Sequence, residues 1–129
     1  MDLTDVEAEL KAKGLLLTSQ RRAIVEFLCT THSHPTAAQV HEATGAGSLS
    51  TVYNTLALLQ ELERLHELPQ PGGESRFDPN MTPHHHLRCL DCGRLHDIPM
   101  DAVTLTTHVA HRAAGVTLEG HCPDGCVSV

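Results

Sequence analysis

No tryptophan occurs in this chain of 129 residues, and one tyrosine and two phenylalanines leave its aromatic content at 2%. The length allows one domain or two very small ones. Small domains bury a low fraction of their surface, so neither half can draw a rich core from this composition, and a structural metal would supply the missing stabilisation. Long apolar runs are also missing. The opening MDLTDVEAEL has no basic flank and no hydrophobic stretch, so it reads as neither signal peptide nor membrane anchor. A soluble, cytoplasmic protein with no membrane partner is expected. In that compartment thiols stay reduced, and paired cysteines serve as metal ligands rather than disulfides. Five cysteines could not all pair in any case.

A surplus of positive charge is lacking too. The net charge of −7 argues against nucleic-acid binding on the simplest reading. Its distribution softens that objection. Between Leu10 and Val25 there is no acid, while Lys11, Lys13, Arg21 and Arg22 stand there together. Such a stripe can meet phosphate within an acidic chain, with strong salt dependence.

The pattern of what is present predicts an α+β chain. Thr4-x-x-Glu7 reads as a capping box opening a helix that Gly14 ends. Thr18 caps a second helix with Ile24, Phe27, Leu28 and Thr31 on one face. Pro35-Thr36-x-x-Gln39 starts a short third helix, running through Val40 to Gly45. Ser48 or Ser50 starts a fourth, which buries Val52, Leu56 and Leu59 and turns Ser50, Tyr53 and Asn54 outward. Leu65 to Leu68 and Arg76 to Asp78 flank the turn-rich Pro69-Gln-Pro-Gly-Gly73, a hairpin signal. That order of elements reads as a winged helix-turn-helix over residues 1–79. After a linker near Pro79 to Pro83, residues 80–129 are expected to form a small α/β domain. Two strands would surround Cys89 to Cys92, a helix would run from about Pro99 to Arg112, and a last strand would lead to Cys122.

Cys89-Leu-Asp-Cys92-Gly93 has the spacing of a zinc knuckle, with a glycine for the tight turn. Cys122-Pro-Asp-Gly-Cys126 supplies a second pair, with three residues between the sulfurs. Two separated pairs predict a closed, structural zinc site with no open position for catalysis. Cys29 sits among apolar neighbours and reads as core.

Eleven histidines are too many to treat as scattered. His84 and His86 share one face of a strand, and His85 the other. Asp78, Asp97 and His34 complete a set of nitrogen and oxygen donors suited to Fe(II), Mn(II) or Zn(II). His32, His41, His66, His108, His111 and His121 read as ordinary, with support of the zinc site by His121, beside Cys122, as the lesser alternative.

Taken together, Gly14-Leu-Leu-Leu-Thr-Ser-Gln-Arg21, His34-Pro-Thr-Ala37, Ser50-Thr-Val-Tyr-Asn-Thr-Leu56, Ser75-Arg-Phe-Asp78 and His84-His-His-Leu-Arg-Cys-Leu-Asp-Cys-Gly93 resemble the ferric uptake regulator (Fur) family over essentially the whole chain. The resemblance is strongest to its peroxide-sensing PerR branch. It implies a homodimer with a winged-helix DNA-binding half, an α/β dimerisation half and a metal site at the hinge. The regulatory ligands would be His34, Asp78, His84, His86 and Asp97, and Asp97, where iron sensors carry glutamate, points to peroxide. Tyr53 and Asn54 would reach bases, Ser50 and Thr51 phosphate or base edges, and Lys11, Lys13, Arg21 and Arg22 phosphates.

Four departures stand out. The second thiolate pair is one residue wider than usual. Leu16 replaces a DNA-reaching basic residue, Glu63 a glycine after the recognition helix, and Pro83 the first histidine of the iron-sensing motif. Metal loading with Mn(II) or Fe(II) would close the hinge on double-stranded operator DNA, and peroxide attack at iron would oxidise His34 or His84 and release it. An uptake regulator of the same family without peroxide sensing is the alternative. A zinc hydrolase or deaminase is disfavoured, because H-E-x-x-H and a proline before the Cys89 pair are both absent. A DNA-binding adaptor with idle histidines is the other rival. No enzyme activity and no small-molecule substrate are expected.

Overall fold

The structure is a computed structural model that describes residues 1–104, 106 and 115–126. The chain divides into two compact units, Met1–Met81 and Thr82–Val129.

In the first unit, α1 (Leu3–Ala12) opens on Asp2, whose carboxylate accepts the Thr4 backbone N–H. The expected Thr4–Glu7 box is therefore not the cap. Asp2 starts the helix earlier, and Glu7, inside it, pairs instead with Arg22 at 3.5 Å. Gly14, at φ 73°, closes α1: its amide bonds Lys11 O while that of Leu15 bonds Leu10 O. Thr18 caps α2 (Ser19–Thr30), and Thr36 with Gln39 forms the full capping box of α3 (Ala37–Thr44). Ser48, rather than Ser50, caps α4 (Leu49–Glu61). The strands β1 (His66–Leu68) and β2 (Arg76–Asp78) pair antiparallel as the expected hairpin.

Four helices and a hairpin enclose a core that is aliphatic except for Phe77. Val6, Leu10, Ile24, Leu28, Val40, Val52, Leu56, Leu59 and Leu65 are all buried there. Each such side chain contributes about 1.5–3 kcal/mol on burial, so fully buried leucines and valines stand where aromatics are lacking. Cys29 packs half-buried against this core, and burial pushes its thiol pKa up.

The second unit is a three-stranded sheet in the order β4-β3-β5, from β3 (His84–Cys89), β4 (Leu95–Pro99) and β5 (Thr117–Gly120). The β3–β4 pair is antiparallel and sets His86 opposite Asp97 and Leu87 opposite His96; β5 runs parallel to β3. Strand alternation then gives two faces. One carries His84, His86, Arg88 and Asp97; the other carries His85, Leu87, Cys89 and His96. Of the helix expected over 99–112, the structure shows a 3-10 turn at Met100–Ala102. Residues 105 and 107–114, including His108 and His111, lie outside the described residues. No described helix is long and apolar enough to cross a membrane.

Candidate metal centres

The β3–β4 turn and the segment after β5 bring four thiols together: Cys89, Cys92, Cys122 and Cys126 all place Sγ within 4.8 Å of one another. Gly93, at φ 74°, makes the tight turn of the first pair, its amide bonding Cys89 O at 2.9 Å. A turn at Pro123–Asp124 and Gly125 at φ 84° fold the second pair, and the extra residue is absorbed there. Sulfur separations are 3.6 Å for Cys89–Cys126, 3.5 Å for Cys92–Cys122 and 3.8 Å for Cys122–Cys126. A tetrahedron of Zn–S bonds about 2.3 Å long has edges of about 3.8 Å, so these residues fit a zinc ion.

Their proton affinities are mutually dependent. The Cys92 backbone N–H, then that of Asp91, holds the Cys89 thiol down at about 6. Burial, then hydrogen bonding with Cys89 and Cys92, pushes Cys122 well above the thiol range. Cys126 is raised to about 11, first by its hydrogen bond with Cys89. A metal entering this cluster must displace protons.

Two further groups of donors lie one in each unit. In the first, Phe77 N donates to Pro35 O at 2.9 Å, Arg76 Nη1 donates to His34 O at 2.8 Å, and Thr36 bridges Arg76. This ties the segment before α3 to β2 and sets His34 Nε2 3.5 Å from Asp78 Oδ2, both residues buried. Asp78 Oδ1 meanwhile accepts Asn80 N–H at 2.9 Å.

In the second unit, His84 Nε2 and His86 Nε2 lie 3.0 Å apart, and Asp97 Oδ1 is 3.2 Å and 3.4 Å from them. Thr82 O can only accept, so His84 Nδ1 carries the proton in its bond to that carbonyl. The lone pair is thereby left on Nε2, the arrangement typical of a metal-binding imidazole. His85 faces away, buried, and accepts Val116 N–H at 2.9 Å.

His121 bonds Asp91 Oδ2 at 2.7 Å rather than a sulfur, and that carboxylate raises its pKa. Among the described residues, His96 does meet a sulfur, with Nε2 3.2 Å from Cys122 Sγ. Nothing in the sequence flagged it, because it belongs to no motif; pairing of β4 with β3 reveals it. His41 is an ordinary structural residue, bonding Gly47 O at 3.0 Å.

On α4, Ser50, Tyr53 and Asn54 are exposed, whereas Thr51 is half-buried beside Ser48. Lys11 and Lys13 are exposed on and just after α1. Arg21 spends one donor on Leu16 O at 2.8 Å, and Arg22 pairs with Glu7.

The sequence profile of the ferric uptake regulator family matches residues 12–122. The peroxide-responsive repressor PerR of Staphylococcus saprophyticus is 35% identical over 99 residues, spanning 74% of this chain and 67% of that protein. Among solved structures, the Helicobacter pylori ferric uptake regulator, described with three functional metal-binding sites, has a TM-score of 0.73 at 19% identity. The likeness covers 98% of this chain and 92% of that one, and shows the shared fold. The Vibrio cholerae ferric uptake regulator, described with DNA-binding domains that rearrange, has a TM-score of 0.66 at 26% identity, over 90% and 98%. On the match over residues 12–122, the chain belongs to the ferric uptake regulator family.

Proposed function

We propose that this chain is a dimeric, metal-dependent transcriptional repressor and not an enzyme. In this reading it binds operator DNA when Mn(II) or Fe(II) is held jointly by His34 and Asp78 of the first unit and His84, His86 and Asp97 of the second. The observation that carries the reading is the convergence of His84, His86 and Asp97 on one sheet face, with His84 Nε2 left as a lone-pair donor. Two imidazoles and one carboxylate are the donor set of non-haem Fe(II) sites with open positions. The buried His34–Asp78 pair supplies further donors of the same hardness. Neither group contains sulfur, which disfavours Cu(I).

Residues 1–79 act in this reading as a winged helix-turn-helix. The exposed Tyr53 and Asn54 of α4 reach base edges, and Ser50 and Thr51 contact phosphate or bases. Lys11, Lys13, Arg21 and Arg22 contact phosphates. A guanidinium has five N–H donors, so Arg21 keeps several for phosphate after bonding Leu16 O. The exposed Arg22–Glu7 pair is worth little and is readily exchanged. Residues 80–129 provide the dimer contact, and Cys89, Cys92, Cys122 and Cys126 hold a structural zinc.

Peroxide sensing follows the name of the staphylococcal relative and the presence of Asp97. Fe(II) held there would supply redox chemistry toward peroxide that Mn(II) lacks. One peroxide oxygen would pass to a ring carbon of His34 or His84 in place of its hydrogen, the other would leave as water, and the oxidised imidazole would lose its hold and release the operator.

Operator affinity measured with and without Mn(II), zinc retained, tests the regulator reading. Mn(II) should tighten binding roughly 5–150-fold, the usual range of such coupling, and H84A should abolish that gain. Equal affinity in both conditions would leave only a DNA-binding adaptor. Mass spectrometry after peroxide treatment of the Fe(II)-loaded chain separates the peroxide sensor from an uptake regulator. Unmodified His34 and His84 with intact DNA binding would select the latter.

A further inference from the structure

We propose that His96 is a positioning residue of the four-thiol centre: its imidazole Nε2–H donates to Cys122 Sγ and holds that sulfur where the metal takes it. The inference rests on the reading that the four cysteines bind a metal. Register makes the contact possible. His96 is paired with Leu87, two residues before Cys89, so it projects from the sheet face that carries Cys89 and opposite to Asp97. From there Nε2 lies 3.2 Å from Cys122 Sγ.

Cys122 needs such a hold. It is buried, follows the end of β5 at Gly120, and belongs to no helix or strand. Cys89, by contrast, ends β3, and its sulfur accepts the Asp91 backbone N–H at 3.4 Å. A metal-bound thiolate has no proton, so across this contact only the imidazole can donate, with its hydrogen on Nε2. Three of the sulfur separations lie near the edge length of a zinc tetrahedron and all four sulfurs lie within 4.8 Å of one another, which leaves His96 outside the ligand set as their support. An N–H···S bond draws charge from the thiolate and makes it a poorer nucleophile, so the site should keep its zinc longer.

The test uses the full zinc-loaded chain and its Co(II)-substituted form. In chelator competition His96→Leu should weaken zinc binding roughly 10–100-fold, the usual effect of losing a group that supports a metal ligand. His96→Gln, whose amide nitrogen reaches about as far as Nε2, should retain most of the affinity. The thiolate-to-Co(II) charge-transfer band should move to lower energy in His96→Leu and stay near its original position in His96→Gln, a signature that packing alone would not produce. If His96→Leu does not fold, His96→Asn replaces it, because its shorter side chain cannot reach the sulfur. Unchanged zinc affinity and band position in the folded Leu or Asn variant, while Cys122→Ser loses zinc, would overturn the role of His96 alone. Zinc held equally well by Cys122→Ser would overturn the four-thiol reading and this inference with it. Retention of zinc by Cys126→Ser with its loss from His96→Leu would make His96 a ligand and also overturn the proposal.

Discussion

Glu63 stands in the left-handed region at φ 56°, the one non-glycine among the described residues with a positive φ. It follows Leu62, the C-cap of α4; its amide bonds Gln60 O and that of Arg64 bonds Leu59 O, the paired closure that glycine usually makes. A side chain there is strained, so Glu63→Gly should stabilise the chain by about 0.5–1 kcal/mol in thermal or urea unfolding. An equal gain from Glu63→Ala would assign the effect to charge instead. Gly115 presents the opposite case. A Cβ there would meet the His84 backbone oxygen at 2.6 Å. Gly115→Ala should therefore cost about 1–3 kcal/mol through overpacking and weaken the proposed Mn(II) binding through displacement of His84. Unchanged unfolding and Mn(II) titration would show that the backbone there yields freely. The Glu63 departure is legible in the sequence, whereas the Gly115 contact requires two segments to be seen side by side.

Helix α3 shows how much one element can owe to its first residues. Its eight residues are too few for a helix stable alone, and Thr36 with Gln39 satisfies two amides at its start. Thr36→Ala should cost about 1 kcal/mol, read by denaturant unfolding; a loss near zero would show that packing of Ala37 and Val40 alone suffices. This box was legible because its residues are local. The cap of α1 falls on Asp2 rather than Thr4, because only the backbone path decides which of two nearby side chains meets the first amides. Strand β4 shows the same limit. Its neighbours His96 and Asp97 serve opposite faces, one toward a sulfur cluster and one toward two imidazoles. Alternation along β3 could be read from His84, His85 and His86, but the faces of β4 depend on its register with β3.

Across the whole molecule, apolar burial is distributed unevenly. The buried cluster lies wholly within the first unit, whereas in the second the buried described residues are His85, Cys89, Leu95 and Cys122. Structural zinc contributes on the order of 10–16 kcal/mol in small zinc-bound folds, comparable with the whole stability of a domain. With zinc held by the four thiols as proposed, its chelation should melt the second unit while the first stays folded. Limited proteolysis with circular dichroism reads this: new cleavage after residue 82 and retained helix are expected, and protection of both units would contradict it.

The sequence by itself determined the helix starts at Thr18 and Thr36, the hairpin, the two cysteine pairs and the family, because each is written in local chemistry or in motifs with fixed spacing. Tertiary structure alone decided that His96 meets Cys122, that His121 bonds Asp91, and that the His34 segment is tied to β2 beside Asp78. Those contacts join residues between 26 and 44 positions apart. Strand register and loop path set them, and no local pattern encodes either.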